Sequence, residues 1–141
     1  MSKQPKQQPA AFRKNNPTFQ KILQQIGITF QQAKEAKEGE IINNCLFLLR
    51  KSYPNEAFRG RSDFKFVIAK NLKAVSNLMF FNAENLEVIF MPKVIIIANG
   101  SYIENKFNSA FMGTKTREIY FPKVKTVGDC AFYKCKIEKL D

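Results

Sequence analysis

The stretch that decides the fold lies near the end of the chain and reads Ile119-Tyr120-Phe121-Pro122-Lys123-Val124-Lys125-Thr126-Val127-Gly128-Asp129-Cys130-Ala131-Phe132. Its pattern occurs twice more upstream. One copy begins at Ile89 and ends at Ala110-Phe111, and the other begins at Val67 and ends at Met79-Phe80. A half-copy, Ala57-Phe58, precedes both. Repetition at a period of about twenty residues predicts a solenoid, which is a stack of similar coils.

Each unit predicts a short strand and a return path. The residues before Pro92 and Pro122 alternate and are rich in Ile, Val and Phe, as in a strand. We expect Ile89 and Met91 to point inward, Phe90 to point outward, and the phenylalanine of each Ala-Phe pair to stack on the next. The middle unit is longer, and its polar stretch 98–106 predicts a projecting loop. The fold class is therefore α+β, with coils joined by parallel β-strands.

The region before the repeats predicts a different structure. Residues 1–16 are polar and basic, which indicates a disordered basic tail. Residues 17–54 predict a helical N-terminal cap, and residues 55–141 hold the repeats. The first helix follows Pro17 and stops at Gly27. A capping box formed by Thr29 and Gln32 opens a second helix, which carries apolar residues as far as Leu49 and which we expect Tyr53-Pro54-Asn55 to end.

The repeats resemble the leucine-rich repeats of the BspA-like family over about residues 57–141. That resemblance implies a leucine-rich-repeat solenoid that serves as a protein-interaction module, with no family-wide catalytic residues. Lys70 at the proline position and Ala83 at the cysteine position are departures in the first unit. The matching positions are Ile119, Pro122, Val124, Val127-Gly128, Ala131-Phe132 and Cys135, and in the unit before them Leu86, Ile89, Pro92, Val94, Ile97 and Ala110-Phe111.

Charge points to anionic partners, because the net charge is +11 and the pI is about 9.7. Residues 1–34 contain no acid at all; their basic residues are Lys3, Lys6, Arg13, Lys14, Lys21 and Lys34. No signal peptide or transmembrane run is visible, so we expect a cytoplasmic protein. A surface location would need an unconventional route or an incomplete N-terminus.

The sequence has few of the residues that catalysis or metal binding requires. The chain has no His, so it lacks a Ser/His or Cys/His pair, and it has no Gly-rich phosphate loop. We therefore expect no catalysis, no cofactor and no metal site. Cys45, Cys130 and Cys135 match neither a disulfide framework nor a zinc site, which favours packed thiols in a reducing compartment.

Two sets of residues are candidates for partner binding. Ile68, Phe90 and Tyr120 hold equivalent places two positions before the proline slot, so they predict an apolar column on an exposed ladder face. The alternative is that this column packs beneath the N-terminal helices or beneath a flanking coil. Lys93 and Lys123, with Lys73 and Lys125 nearby, predict a basic strip at the rim of that face; the alternative is a solvated edge that maintains solubility.

Binding to another protein with an acidic surface is the function that these features favour. One alternative is a nucleic-acid-associated protein that uses the basic tail, and another is a structural component of a large assembly. Self-association through an open C-terminal edge is a further expectation, because an unpaired strand edge invites pairing.

Overall fold

A computed structural model describes residues 12–103, 106–128, 131–132, 135 and 137–140. Within these residues there are two short helices and three sheets. The helices are α1 (Pro17–Ile26) and α2 (Phe30–Glu35). The strands are β1 (Ile41–Ile42), β2 (Cys45–Leu48), β3 (Phe66–Ala69), β4 (Ala74–Val75), β5 (Val88–Phe90), β6 (Ile96–Ile97), β7 (Ser101–Ile103), β8 (Lys106–Asn108), β9 (Glu118–Tyr120), β10 (Thr126–Val127) and β11 (Lys139–Leu140).

Both helices begin with the caps that their sequences encode. The Asn16 side chain accepts a hydrogen bond from the Phe19 amide at 3.0 Å, and Gly27 ends α1 in the left-handed region at φ 82°. Thr29 and Gln32 form the predicted capping box at the start of α2. These side chains satisfy backbone groups that a helix end leaves unpaired. The predicted helix starts are confirmed.

The predicted length of the second helix is wrong. Helix α2 ends at Glu35, and β1 and β2 form an antiparallel hairpin in which Ile42 pairs with Cys45. Asn43 and Asn44 make the turn with φ values of 49° and 66°. A two-residue turn with positive φ at both positions matches the twist of the two strands that it joins. Asn tolerates positive φ better than most residues. The hairpin therefore replaces the expected helix.

A sheet of mainly parallel strands runs through the repeats in the order β1-β2-β3-β5-β9-β11. The registers place Val67 beside Ile89 and Ile89 beside Ile119. Strand β2 pairs in parallel with β3, so a complete repeat begins upstream of Ala57-Phe58, where the sequence indicated only a half-copy. A second parallel sheet, β10-β6-β4, forms from the return segments of the same repeats.

Stacked phenylalanines occupy the interior between the two sheets. Their ring centroids are 5.5 Å apart from Phe58 to Phe80, 5.5 Å from Phe80 to Phe111 and 5.0 Å from Phe111 to Phe132, with interplanar angles of 16°, 12° and 14°. The Phe58 amide donates to the Met79 carbonyl, and the Phe80 amide to the Ala110 carbonyl. The predicted phenylalanine stack is confirmed, as are the inward directions of Ile89 and Met91.

Ion pairs join neighbouring strands at the end of the first sheet where the strands begin. Lys65 and Arg117 both contact Glu87, at 3.4 Å and 3.1 Å, and Arg117 also contacts Glu118 at 2.8 Å. Successive repeats thus present alternating charges at one register position. Such cross-strand pairs favour this register over one that would place like charges together.

Two other predictions need adjustment. Residues 12–16, expected in the disordered tail, are ordered, and Phe12 is buried against Phe19 with ring centroids 4.5 Å apart. Residues 1–11 lie outside the described part. The expected loop at 98–106 instead contains β7 and the first residue of β8, its antiparallel partner, which continues to Asn108. None of the described helices is long and apolar enough to cross a membrane.

Candidate functional site

The three residues of the predicted apolar column do align across the sheet. Ile68 pairs with Phe90, and Phe90 pairs with Tyr120, on adjacent parallel strands. The Phe90 and Tyr120 rings stack with centroids 4.8 Å apart and planes inclined by 7°. The repeat pattern therefore predicted the alignment correctly.

The expectation that this column is exposed is wrong for two of its members. Ile68 is 1% exposed and Phe90 is 0% exposed. Residues from 12 to 36 cover them, and the Phe19 ring lies 5.1 Å from the Phe90 ring. The strands that carry Ile68 and Phe90 are buried on both faces. The repeat core covers one face, and the apolar side of α1 covers the other. Ile68 and Phe90 consequently stabilise the fold and are not available for direct contact with a partner.

Tyr120 lies where this covering layer ends. Its side chain is half-buried, in a shallow groove between α1 and β9. Thr18, Lys21 and Gln25 line the helix side of the groove, and the Gln25 amide donates to Glu118 at 3.2 Å. Of the three column residues, Tyr120 is therefore the one that a partner could touch.

Two of the predicted lysines, Lys93 and Lys123, lie just beyond the C-terminal ends of β5 and β9, at the edge of the sheet where Tyr120 ends its strand. Lys93 and Lys123 follow Pro92 and Pro122 in equivalent turns, each closed by a backbone hydrogen bond, Val94 to Met91 at 3.4 Å and Val124 to Phe121 at 3.1 Å. Neighbouring parallel strands are spaced by about 4.8 Å, so equivalent residues of successive repeats form rows. The two lysines thus occupy one row along the turn edge.

A second row runs beside it. The Lys73 amide donates to the Lys51 carbonyl at 3.0 Å, the Ile95 amide to Lys73 at 2.9 Å, and the Lys125 amide to Ile95 at 2.7 Å. Lys51, Lys73 and Lys125 are all exposed. We call the lysines of this part of the repeats the basic side; they are Lys51, Lys70, Lys73, Lys93, Lys123 and Lys125.

Charge on the basic side is largely uncompensated. The stretches that carry it, 50–53, 70–75, 93–97 and 123–127, contain no acid. Glu38 reaches the first of them and accepts a hydrogen bond from the Tyr53 hydroxyl at 2.7 Å. The ion pairs found between described residues include none of these lysines; they are Arg59–Glu56, Arg61–Asp63, Lys65–Glu87, Arg117–Glu87 and Arg117–Glu118.

The surroundings of Lys70 show how crowded the positive charges are. Partial burial, followed by the charges of Lys93 and Lys34, lowers the pKa of Lys70 below its ordinary value. Its ammonium group lies 4.7 Å from the Phe12 ring centroid. The sequence pattern marked Lys70 only as a departure from proline. Lys70 occupies the repeat position equivalent to Pro92, next to the position of Lys93, and this equivalence could have predicted that it joins the cluster. An anion bound here would relieve the repulsion between like charges.

Two of the three cysteines, Cys45 and Cys135, are packed into the repeats. Cys45 is buried, and Cys135 is half-buried with its thiol 3.3 Å from the Phe111 carbonyl. Burial raises the pKa of both thiols and so keeps them protonated and unreactive. Cys130 lies outside the described residues. Within the described part, no group of three His, Cys, Asp or Glu side chains is placed to hold a metal ion.

Comparison with known proteins identifies the repeats. Searches of curated proteins and of solved structures found no match. The family model described as a BspA type leucine-rich repeat region matches residues 18–108 and 101–141, with six copies. The match begins far upstream of residue 57, so the estimate from the sequence pattern was too short, in agreement with the pairing of β2 into the repeat sheet. The chain belongs to the BspA-type leucine-rich repeat family.

Proposed function

We propose that this chain is a noncatalytic protein-interaction module that binds an acidic protein surface through the basic side of a short leucine-rich-repeat solenoid. The N-terminal helices would serve as its cap. Membership of a repeat family often used for protein interaction supports the general function. The observation that carries the proposal is the cluster of six lysines, none of which forms an ion pair with another described residue.

The geometry supports binding without a large rearrangement. The lysines project from turns and strand ends that are fixed by backbone hydrogen bonds between successive repeats. Because the backbone is already fixed, binding needs to order only the lysine side chains, and their charges attract an oppositely charged partner from a distance. Tyr120, half-buried at the end of β9 and three residues before Lys123, adds an aromatic contact beside this surface.

The test is a titration of a fluorescein-labelled peptide of ten glutamates, followed by fluorescence anisotropy. Lys123→Glu and Lys115→Glu form a matched pair, because the two exposed lysines flank the same strand at opposite ends and each substitution lowers the net charge by two. We expect Lys123→Glu to weaken binding roughly tenfold, since repulsion replaces attraction, and Lys115→Glu to have little effect. Lys93→Glu combined with Lys123→Glu should weaken it further, and Tyr120→Ala should weaken it moderately.

A labelled uridine 20-mer distinguishes the nucleic-acid alternative. If the RNA binds tightly with a steep dependence on salt while the peptide does not bind, the protein-interaction proposal fails. Equal effects of Lys123→Glu and Lys115→Glu on peptide binding would also contradict it, because attraction would then follow net charge alone.

A further inference from the structure

Two adjacent isoleucines at the start of β6 are exposed to solvent: Ile95 directly precedes the strand, and Ile96 is its first residue. Ile95 is 39% exposed and Ile96 is 47% exposed, whereas the next residue, Ile97, is completely buried. Val75 pairs with Ile97 in the sheet and is also completely buried. Ile97 therefore faces the core and Ile96 faces solvent, and Ile95, just before β6, adds a second exposed aliphatic side chain next to it.

The repeats on either side place different residues beside this pair. Ile96 lies between Ala74 and Thr126, and both neighbours are smaller than isoleucine. Ile95 lies between Lys73 and Lys125 in the hydrogen-bonded row described above. The apolar patch is therefore flanked by lysines, and it belongs to the repeat that lacks a lysine at this position.

This combination identifies the chemistry of the occupant. A lysine side chain can lie along apolar surface while its ammonium group remains at the rim, so it can pair with an anion that sits next to a bound apolar group. A phosphodiester backbone would pair with the lysines but would leave the isoleucine side chains exposed to water. A polypeptide segment that carries both carboxylates and an aliphatic side chain would use both features.

We propose that the aliphatic pair Ile95–Ile96 anchors an aliphatic side chain of an acidic polypeptide segment, while Lys73 and Lys125 contact the carboxylates on either side of that anchor. The inference rests on the proposed function, since it assigns the apolar part of the same partner. In this arrangement the lysines attract and orient the acidic segment. The isoleucines distinguish acidic segments that carry an aliphatic side chain from those that do not.

Two peptides with ten glutamates each separate these roles. In one peptide two central leucines interrupt the glutamates, and in the other two central serines do so. We expect the wild-type protein to bind the leucine peptide about five- to tenfold more tightly, as burial of the exposed aliphatic surface would give. Ile96→Thr, which installs the residue type found at Thr126, should remove this preference and leave the affinity for the serine peptide unchanged.

Ile41→Thr is the matched control, because Ile41 is 36% exposed and lies on β1 at the far side of the other sheet. It should preserve the preference for leucine. Ile95→Lys, which extends the lysine row, should strengthen binding of the serine peptide and reduce the preference. Thermal unfolding of each variant verifies that the fold is retained.

The outcomes distinguish the two proposals. If neither peptide binds the wild-type protein, the proposed function fails and the anchor fails with it. If both peptides bind equally tightly, or if Ile96→Thr and Ile41→Thr behave alike, only the anchor is overturned.

Discussion

The Phe19 ring of helix α1 stacks on the Phe90 ring of the repeat sheet, with centroids 5.1 Å apart and planes inclined by 29°. Both side chains are completely buried. Phe90 stacks in turn on Tyr120, so a series of stacked aromatic rings runs from helix α1 across β5 to β9. The N-terminal segment is thereby part of the same packed structure as the repeats. Because it covers Ile68 and Phe90, a partner would have to bind elsewhere.

Replacement of Phe19 should destabilise the whole structure. Phe19→Ala leaves a cavity between α1 and the sheet, so we expect the free energy of unfolding to fall by about 3–5 kcal/mol. Urea unfolding measures this loss. Gln24→Ala on the exposed side of α1 is the control and should change the free energy by less than about 0.5 kcal/mol. A cost below about 1 kcal/mol for Phe19→Ala would mean that the helix does not stabilise the repeats.

The ion pairs of Glu87 should make stability depend on acid pH. Burial raises the pKa of Glu87, but the hydrogen bond from Arg117 and the charge of Lys65 outweigh that effect, and the pKa lies below its ordinary value of 4.5. The stabilisation is therefore complete above about pH 4.5 and is lost as the pH falls through the lower folded-state pKa.

Glu87→Gln tests this dependence. At pH 7 the variant should be less stable than the wild type by on the order of 1 kcal/mol, because its contacts with Lys65 and Arg117 are only partly shielded from solvent. The difference should shrink when urea unfolding is repeated at pH 3. Glu84→Gln is the control, since Glu84 is exposed and forms no ion pair within the described part of the chain. A difference for Glu87→Gln that is constant from pH 7 to pH 3 would argue against the ion-pair network.

Gly128 is required by a close approach between repeats. A Cβ atom at this position would lie 2.1 Å from the Ala98 carbonyl oxygen, and the Gly128 amide donates to the Ile97 carbonyl at 2.7 Å. We expect Gly128→Ala to cost about 1–3 kcal/mol, because backbone must move to make room. Gly39→Ala is the comparison: Gly39 has open space around it and a φ of 77°, so its cost comes from conformation alone and should be about 1 kcal/mol. Equal melting temperatures for the two variants would contradict the close approach.

Local sequence predicts the repeats better than it predicts what covers them. The Ala-Phe pairs and the residues before Pro92 and Pro122 recur, so strand register and the phenylalanine stack follow from a comparison of units. Helix α1 follows from its own spacing and from Gly27. These features depend on neighbouring residues or on exact repetition, which a single sequence displays.

The errors arise where distant contacts decide the structure. Apolar residues from Ile41 to Leu49 suit either a helix or a strand, and the pairing of β2 with β3 selects the strand. Asn43-Asn44 was the local signal for that hairpin. Likewise, the sequence places Phe90 on the outer side of the ladder, but its burial depends on Phe19, far away in the chain. The uncompensated charge of the basic side could be counted from sequence once the repeats were aligned.

The central claim is that partners bind the basic side, and not the ladder face beneath α1. Its most direct test is a two-dimensional NMR titration of the uniformly nitrogen-15-labelled chain with the unlabelled peptide of ten glutamates. We expect the amide signals of residues 93–97 and 123–127 to shift in a saturable manner, while those of Lys65, Glu87 and Arg117 at the opposite strand ends remain in place. Shifts concentrated at those opposite ends or along α1, with the signals of Lys93 and Lys123 unmoved, would contradict the claim.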